Sequence, residues 1–187
     1  RGLSGYGEPM IRLFAALSVP ADIGAALQLR QSGIEGARWR PLEALHVTLR
    51  FFGELREDVA RDLDAELMRV SGRPFEIALA GAGSFADGDD IHAVWAGVSE
   101  TPELARLAAA CEAAARRAGL APDRRRYRPH VTLAYLRRPD PVEVARWIQA
   151  NNLLRSPPIG VDRFGLYSSV QTKAGAHYEL EAEYGLR

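Results

Sequence analysis

The sequence predicts an α+β fold of two similar lobes, each supplying one strand to a shared cleft. Two observations carry this expectation. The chain writes His46-Val47-Thr48-Leu49 and, 84 positions later, His130-Val131-Thr132-Leu133, although it holds only four His and four Thr in 187 residues. Around each phrase the same order recurs: an apolar strand, a helix, the His-Thr strand, then a further helix.

Each phrase lies in an alternating run, Leu45 to Phe52 and Pro129 to Leu136, whose β-branched and aromatic residues favour extended backbone. A strand sends residues i and i+2 to one face, so His46 points with Thr48 and His130 with Thr132. Val47, Leu49, Val131 and Leu133 then point into a core. A single His of this kind reads more readily as a hydrogen-bonded core residue, but a repeated polar His-Thr face has no packing purpose.

The other elements follow in order. Ile11 to Val19 reads as a buried strand ended by Pro20, and Ala21 to Gln31 as a helix stopped near Gly33. Trp39-Arg40-Pro41 turns the chain into the first His-Thr strand, which Gly53 closes. Val59, Leu63 and Leu67 recur at helical spacing across Glu57 to Val70. Phe75 to Ala80 and Ile91 to Val98 read as strands joined by a loop rich in Gly and Asp, which lacks the ligand spacing of a calcium loop. Thr101-Pro102 caps a helix to Arg117, and Asp140-Pro141-Val142-Glu143 starts another to Gln149. Pro158 leads into a strand through Tyr167, and Tyr178 to Tyr184 forms the last.

With 47% apolar and 26% charged residues, the chain fits one domain, expected over residues 10 to 187. Residues 1 to 9 are Gly-rich and aperiodic, and we expect them to be a disordered or added leader before Met10. One cysteine, Cys111, on an apolar helical face, points to a packed thiol in a reducing compartment. No apolar run reaches the roughly 20 residues that span a bilayer, so a cytoplasmic protein without membrane contact is expected. Net charge is zero, yet Arg116 to Arg138 holds eight Arg against Asp123 alone. An anionic ligand near His130 is the natural partner of that block.

The four His have no spacing that suggests zinc, and no P-loop or nucleophile elbow is present. No metal or cofactor is expected. Two imidazoles in one cleft can instead take and give a proton in one step. Two hydroxyls beside them can bind anionic oxygens. That set suffices to open a strained cyclic phosphodiester. His92 and His177 sit on strands without such company and read as structural or surface residues.

With these flanks, Leu45 to Gly53, Arg125 to Leu133, Arg12 to Leu17 and Phe164 to Ser169, the chain resembles the two-histidine phosphoesterases over nearly its whole length from Met10. Within them it resembles the RNA 2′,3′-cyclic phosphodiesterases, also called 2′–5′ RNA ligases. The resemblance implies two antiparallel sheets flanking a central cleft with helices outside. It implies hydrolysis of an RNA 2′,3′-cyclic phosphate to a 2′-phosphate without metal, and an ATP-independent reverse ligation forming 2′–5′ bonds. RNA ends, tRNA fragments among them, are the expected partners, and a monomer the expected form. A nucleotide enzyme opening ADP-ribose 1″,2″-cyclic phosphate, or a non-catalytic module binding RNA ends, stand as alternatives.

The catalytic residues expected are His46, Thr48, His130 and Thr132. Arg50, Arg125 and Arg128 are expected to grip phosphate, because Tyr135 stands where many relatives have Arg. Phe52 and Tyr127 are candidates to stack a base, and Tyr135 completes the expected substrate contacts. The Arg residues before His130 should keep it neutral as proton acceptor, and Glu43 should favour a protonated His46 as donor. The resemblance assigns the roles the same way.

Overall fold

A computed structural model describes residues 9–187. The leader expected over residues 1 to 9 therefore lies, Pro9 apart, outside the described residues. The described chain holds ten strands and four α-helices.

The first sheet has the order β10-β9-β1-β3, formed by β1 (Met10–Ser18), β3 (His46–Arg56), β9 (Arg163–Thr172) and β10 (Gly175–Gly185). The second has the order β2-β7-β6-β5, from β2 (Arg38–Trp39), β5 (Leu79–Asp87), β6 (Asp90–Val98) and β7 (His130–Tyr135). A two-stranded pair joins β4 (Phe75–Ile77) to β8 (Ile159–Val161). All these pairings are antiparallel. The expected α+β class is met. In each half a strand, a helix and the His-Thr strand follow one another: β1, α1 (Ala21–Gln28) and β3, then β6, α3 (Pro102–Arg117) and β7. The remaining helices, α2 (Glu57–Leu67) and α4 (Pro141–Asn151), follow the two His-Thr strands.

Local chemistry sets the helix ends. Thr101 Oγ1 accepts from the Leu104 N–H at 3.1 Å and Asp140 Oδ1 from the Val142 N–H at 2.9 Å, each before a first-turn proline. Helix α1 ends three residues before the expected Gln31. There the Arg30 carbonyl accepts from Trp147 Nε1 at 2.9 Å, and the Arg30 guanidinium donates to Asn151 Oδ1 at 2.9 Å, which fastens α1 to α4 instead of extending it.

The Gly- and Asp-rich segment after Ala80 is largely strand, not loop, a correction with a clear cause. Trp95 of β6 lies over Gly83, where an added Cβ would meet the ring at 2.4 Å. Glycine there serves close approach within a sheet, and the turn shrinks to the residues about Gly88. Strand β3 likewise runs on to Arg56 past Gly53, which the left-handed φ of +80° absorbs as an irregularity.

A continuous hydrophobic core joins both sheets. Val47, Leu49, Val131 and Leu133 are buried in it, as their alternation predicts, and Cys111 is wholly enclosed with its thiol pushed up to about 12 by burial. Among the described residues no helix is long and apolar enough to cross a membrane.

Candidate active site

Strands β3 and β7 are both interrupted at the leucine of the repeated phrase. Ala16 pairs with Thr48 and Ala15 with Arg50, which leaves Leu49 unpaired. Trp95 pairs with Thr132 and Val94 with Ala134, which leaves Leu133 unpaired. One extra residue inverts the alternation beyond it. The side chains next exposed after each His-Thr pair are therefore five residues beyond the His: Phe51 is 55% exposed while Phe52 is 7%, and Tyr135 is 37% exposed while Leu136 is 6%. The expectation that Phe52 stacks a base is overturned: Phe52 packs in the core. Phe51 takes the open position, its ring 5.6 Å from Phe14, which itself lies 5.8 Å from His46.

Each imidazole is walled by aromatics of its own sheet. The His46 ring lies 4.6 Å from Tyr167 and 5.7 Å from Tyr178. His130 meets Phe85 edge-on at 4.7 Å, with Trp95 at 6.1 Å. Burial is the largest influence on both and disfavours the imidazolium. It holds His46 down at about 4, opposed by the Ala44 carbonyl and assisted by the Arg40 charge. His130 is lowered by burial, opposed by the Arg128 carbonyl and assisted by the Arg128 charge.

His130 Nδ1 lies 2.6 Å from that carbonyl. A carbonyl can only accept, so Nδ1 carries the hydrogen and Nε2 keeps a lone pair able to take a proton. His46 Nδ1 makes no hydrogen bond of good geometry, although the Ala44 carbonyl acts on it in the same sense. The expected charge asymmetry is corrected. Glu43, exposed on a 3₁₀ turn, is not among the groups that set the His46 pKa; burial and Arg40 outweigh it.

A cavity of about 1160 Å³ opens beside Thr48 and His130, walled by α3, Phe51 and the Arg-rich segment before His130. Neither His46 nor Thr132 is in its walls. Two of the eight Arg in the block, Arg117 and Arg125, are ion-paired among the described residues. Arg125 makes a two-point bond to Asp123 at 3.1 and 3.0 Å, which holds that carboxyl at about 2. Arg50 donates to Glu112 at 2.5 Å and to the Ala121 carbonyl at 2.9 Å, so it ties β3 to α3 and the loop beyond. Both were expected to grip phosphate, and both are committed to carboxylates instead. Arg128 is exposed, lines the cavity and enters no ion pair among the described residues.

Tyr127 lines the cavity. Its hydroxyl donates to the Thr48 carbonyl at 2.9 Å, which pins the first motif strand to the segment leading into the second. Tyr135 is half-exposed beneath the guanidinium of Arg40, whose Cζ is 5.2 Å from the ring centre. Arg40 was not singled out from sequence; its position before Pro41, at the entrance to the first motif, was the available signal. His92 and His177 sit exposed near Asp87 and Glu179, each 3.7 Å away. Among the described residues no three His, Cys, Asp or Glu cluster in a way that would hold a metal ion.

Two antiparallel sheets, each bearing a His-x-Thr strand with its leucine bulged, define the class of two-histidine phosphoesterases. The family model of the 2′-5′ RNA ligase superfamily matches residues 20–173, and the chain belongs to that superfamily. It is 31% identical over 172 residues to an RNA 2′,3′-cyclic phosphodiesterase of Archaeoglobus fulgidus, covering 90% of this chain and 97% of that one. An Escherichia coli protein of the same name is 32% identical over 130 residues, 67% of this chain and 72% of its own. Among solved structures, E. coli LigT complexed with 3′-AMP superposes with a TM-score of 0.75 at 25% identity, covering 95% of this chain and 99% of LigT.

Proposed function

We propose that the protein hydrolyses RNA 3′ ends bearing a 2′,3′-cyclic phosphate to leave a 2′-phosphate. The observation that carries this reading is the pair of His-x-Thr strands, with the His130 tautomer set for proton acceptance. Water attacks phosphorus in line with the 3′ oxygen, and His130 Nε2 takes its proton. The bond from phosphorus to the 3′ oxygen breaks while His46 protonates that oxygen, and the bond to the 2′ oxygen stays. Thr48 and Thr132 hydroxyls donate to the non-bridging oxygens, whose charge grows in the transition state. With an RNA 5′-hydroxyl in place of water, the same steps form a 2′–5′ bond. We further propose that residues 10 to 187 act as one unit, a cytoplasmic monomer working on RNA ends such as those of tRNA fragments. Sheet topology supports the single unit, because β1 and β3 share a sheet with β9 and β10.

The test offers EDTA-treated protein an oligoribonucleotide ending in 2′,3′-cyclic phosphate and, separately, ADP-ribose 1″,2″-cyclic phosphate. A 2′-phosphate from the RNA, formed at the higher kcat/KM, is expected. A 3′-phosphate product, preference for the small nucleotide, or binding without turnover would each overturn the proposal.

The acid role of His46 has a pH signature. The free protein reaches the needed imidazolium with a pKa of about 4, so the protonated fraction falls as pH rises above that value. An anionic phosphate beside the ring favours the charged form and raises the pKa. The alkaline limb of kcat should therefore lie at higher pH than that of kcat/KM, since the former reports the bound state. Coincident limbs would remove the support for His46 as donor.

A further inference from the structure

Arg40 joins the two sheets beside the site. Its backbone N–H donates to the Leu133 carbonyl of β7 at 2.8 Å. Its guanidinium reaches the other sheet, where NH2 donates to the Tyr178 hydroxyl at 2.6 Å. The Tyr178 ring is the one lying 5.7 Å from His46. Arg40 Cζ sits 5.2 Å from the Tyr135 ring centre and 5.3 Å from that of Tyr178, so the cation is held against two aromatic faces.

The charge has no carboxylate partner among the described residues, whereas Arg50, Arg117, Arg125 and Arg163 each have one. A half-buried guanidinium that lacks an anion bears an uncompensated desolvation cost. Of its five N–H donors the structure commits one, to Tyr178. The planar fork that remains matches two oxygens of a phosphate.

We propose that Arg40 is the phosphate-binding guanidinium of the cleft, donating to the non-bridging oxygens of the cyclic phosphate beside His46 from the side occupied by Tyr135. The identity of its ligand rests on the functional reading above; the presence of an anion-binding site does not.

The test compares wild type, Arg40→Gln, Tyr178→Phe and the double variant Arg40→Gln/Tyr135→Arg. Calorimetric binding of uridine 2′-phosphate is measured beside kcat and KM on the cyclic-phosphate RNA. Arg40→Gln should weaken binding of the probe by about 10–100-fold, the usual worth of a charged hydrogen bond, and raise KM in step. An arginine at 135 starts from the ring that Arg40 covers, so the double variant should regain roughly tenfold of the loss. Tyr178→Phe removes the hydroxyl but leaves the guanidinium and should cost only a few-fold.

Probe binding by Arg40→Gln within twofold of wild type would overturn the proposal. Equal losses in Arg40→Gln and Tyr178→Phe would also overturn it, because the pair would then be a clasp between sheets. Should Arg40→Gln not fold, Arg40→Lys keeps the charge without the fork and should bind severalfold more weakly; unaltered binding there overturns the proposal equally. A wild type that binds the probe yet leaves the cyclic end uncut would refute the phosphodiesterase reading, while the binding comparison still decides Arg40. A wild type that binds no probe refutes both.

Discussion

Alanine at His130 is expected to lower turnover of a 2′,3′-cyclic phosphate end by roughly 10²–10⁴-fold, and alanine at His46 by a similar factor, the range for losing a general base or acid. Both side chains stand on the outward faces of strands whose alternate residues are buried. Truncation therefore removes chemistry with limited loss of core packing. His130→Ala removes the Nε2 lone pair that the Arg128 carbonyl has oriented. His46→Ala removes a ring enclosed by Tyr167 and Tyr178. Measuring kcat and the unfolding midpoint together separates the two kinds of loss. Full activity in either variant with the fold preserved would sink a mechanism that uses both imidazoles.

Thr48→Ala and Thr132→Ala should each lower kcat by about 10²-fold, near the lower end of what one donor to a developing oxyanion contributes. Their backbones are well fixed: the Thr48 carbonyl accepts from Tyr127 and Thr132 pairs with Trp95 just before the bulge. Only the hydroxyl and methyl are then in question. Serine keeps the hydroxyl and should recover most of the rate at both positions. Serine as damaging as alanine would mean that the methyl group, and hence packing, is what matters.

The repeated phrase was legible because a period of two is local: His46 with Thr48, Val47 with Leu49. What lay beyond the leucine was not. A bulge is a property of the register between two strands, and nothing in Leu49-Arg50-Phe51-Phe52 announces that Ala15 skips to Arg50. From sequence Phe52 therefore reads as a candidate to stack a base, whereas Phe51 holds the open position. Tyr135 reads as a departure from a pattern, and the structure places it as the floor under Arg40.

Charge was misread for a related reason. Sequence neighbours suggested that Glu43 acts on His46, whereas burial and Arg40 set its proton affinity. Arg125 was expected to grip phosphate, yet it is engaged by its own neighbour Asp123. Gly83 suggested a loop where Trp95 needed room against a strand. The rings that bury His46 and the Trp95 ring over Gly83 come from residues that the chain brings together only on folding, whereas Arg125 and Asp123 are already neighbours in sequence.

The most direct test of the two-histidine account is leaving-group rescue. An RNA end whose 3′ oxygen is replaced by sulfur departs as a thiolate, which needs little help from an acid. If His46 is the donor and His130 the acceptor, this substrate should restore His46→Ala substantially and His130→Ala hardly at all. Rescue of His130→Ala instead would exchange the two roles, and rescue of neither would contradict general-acid catalysis by this pair.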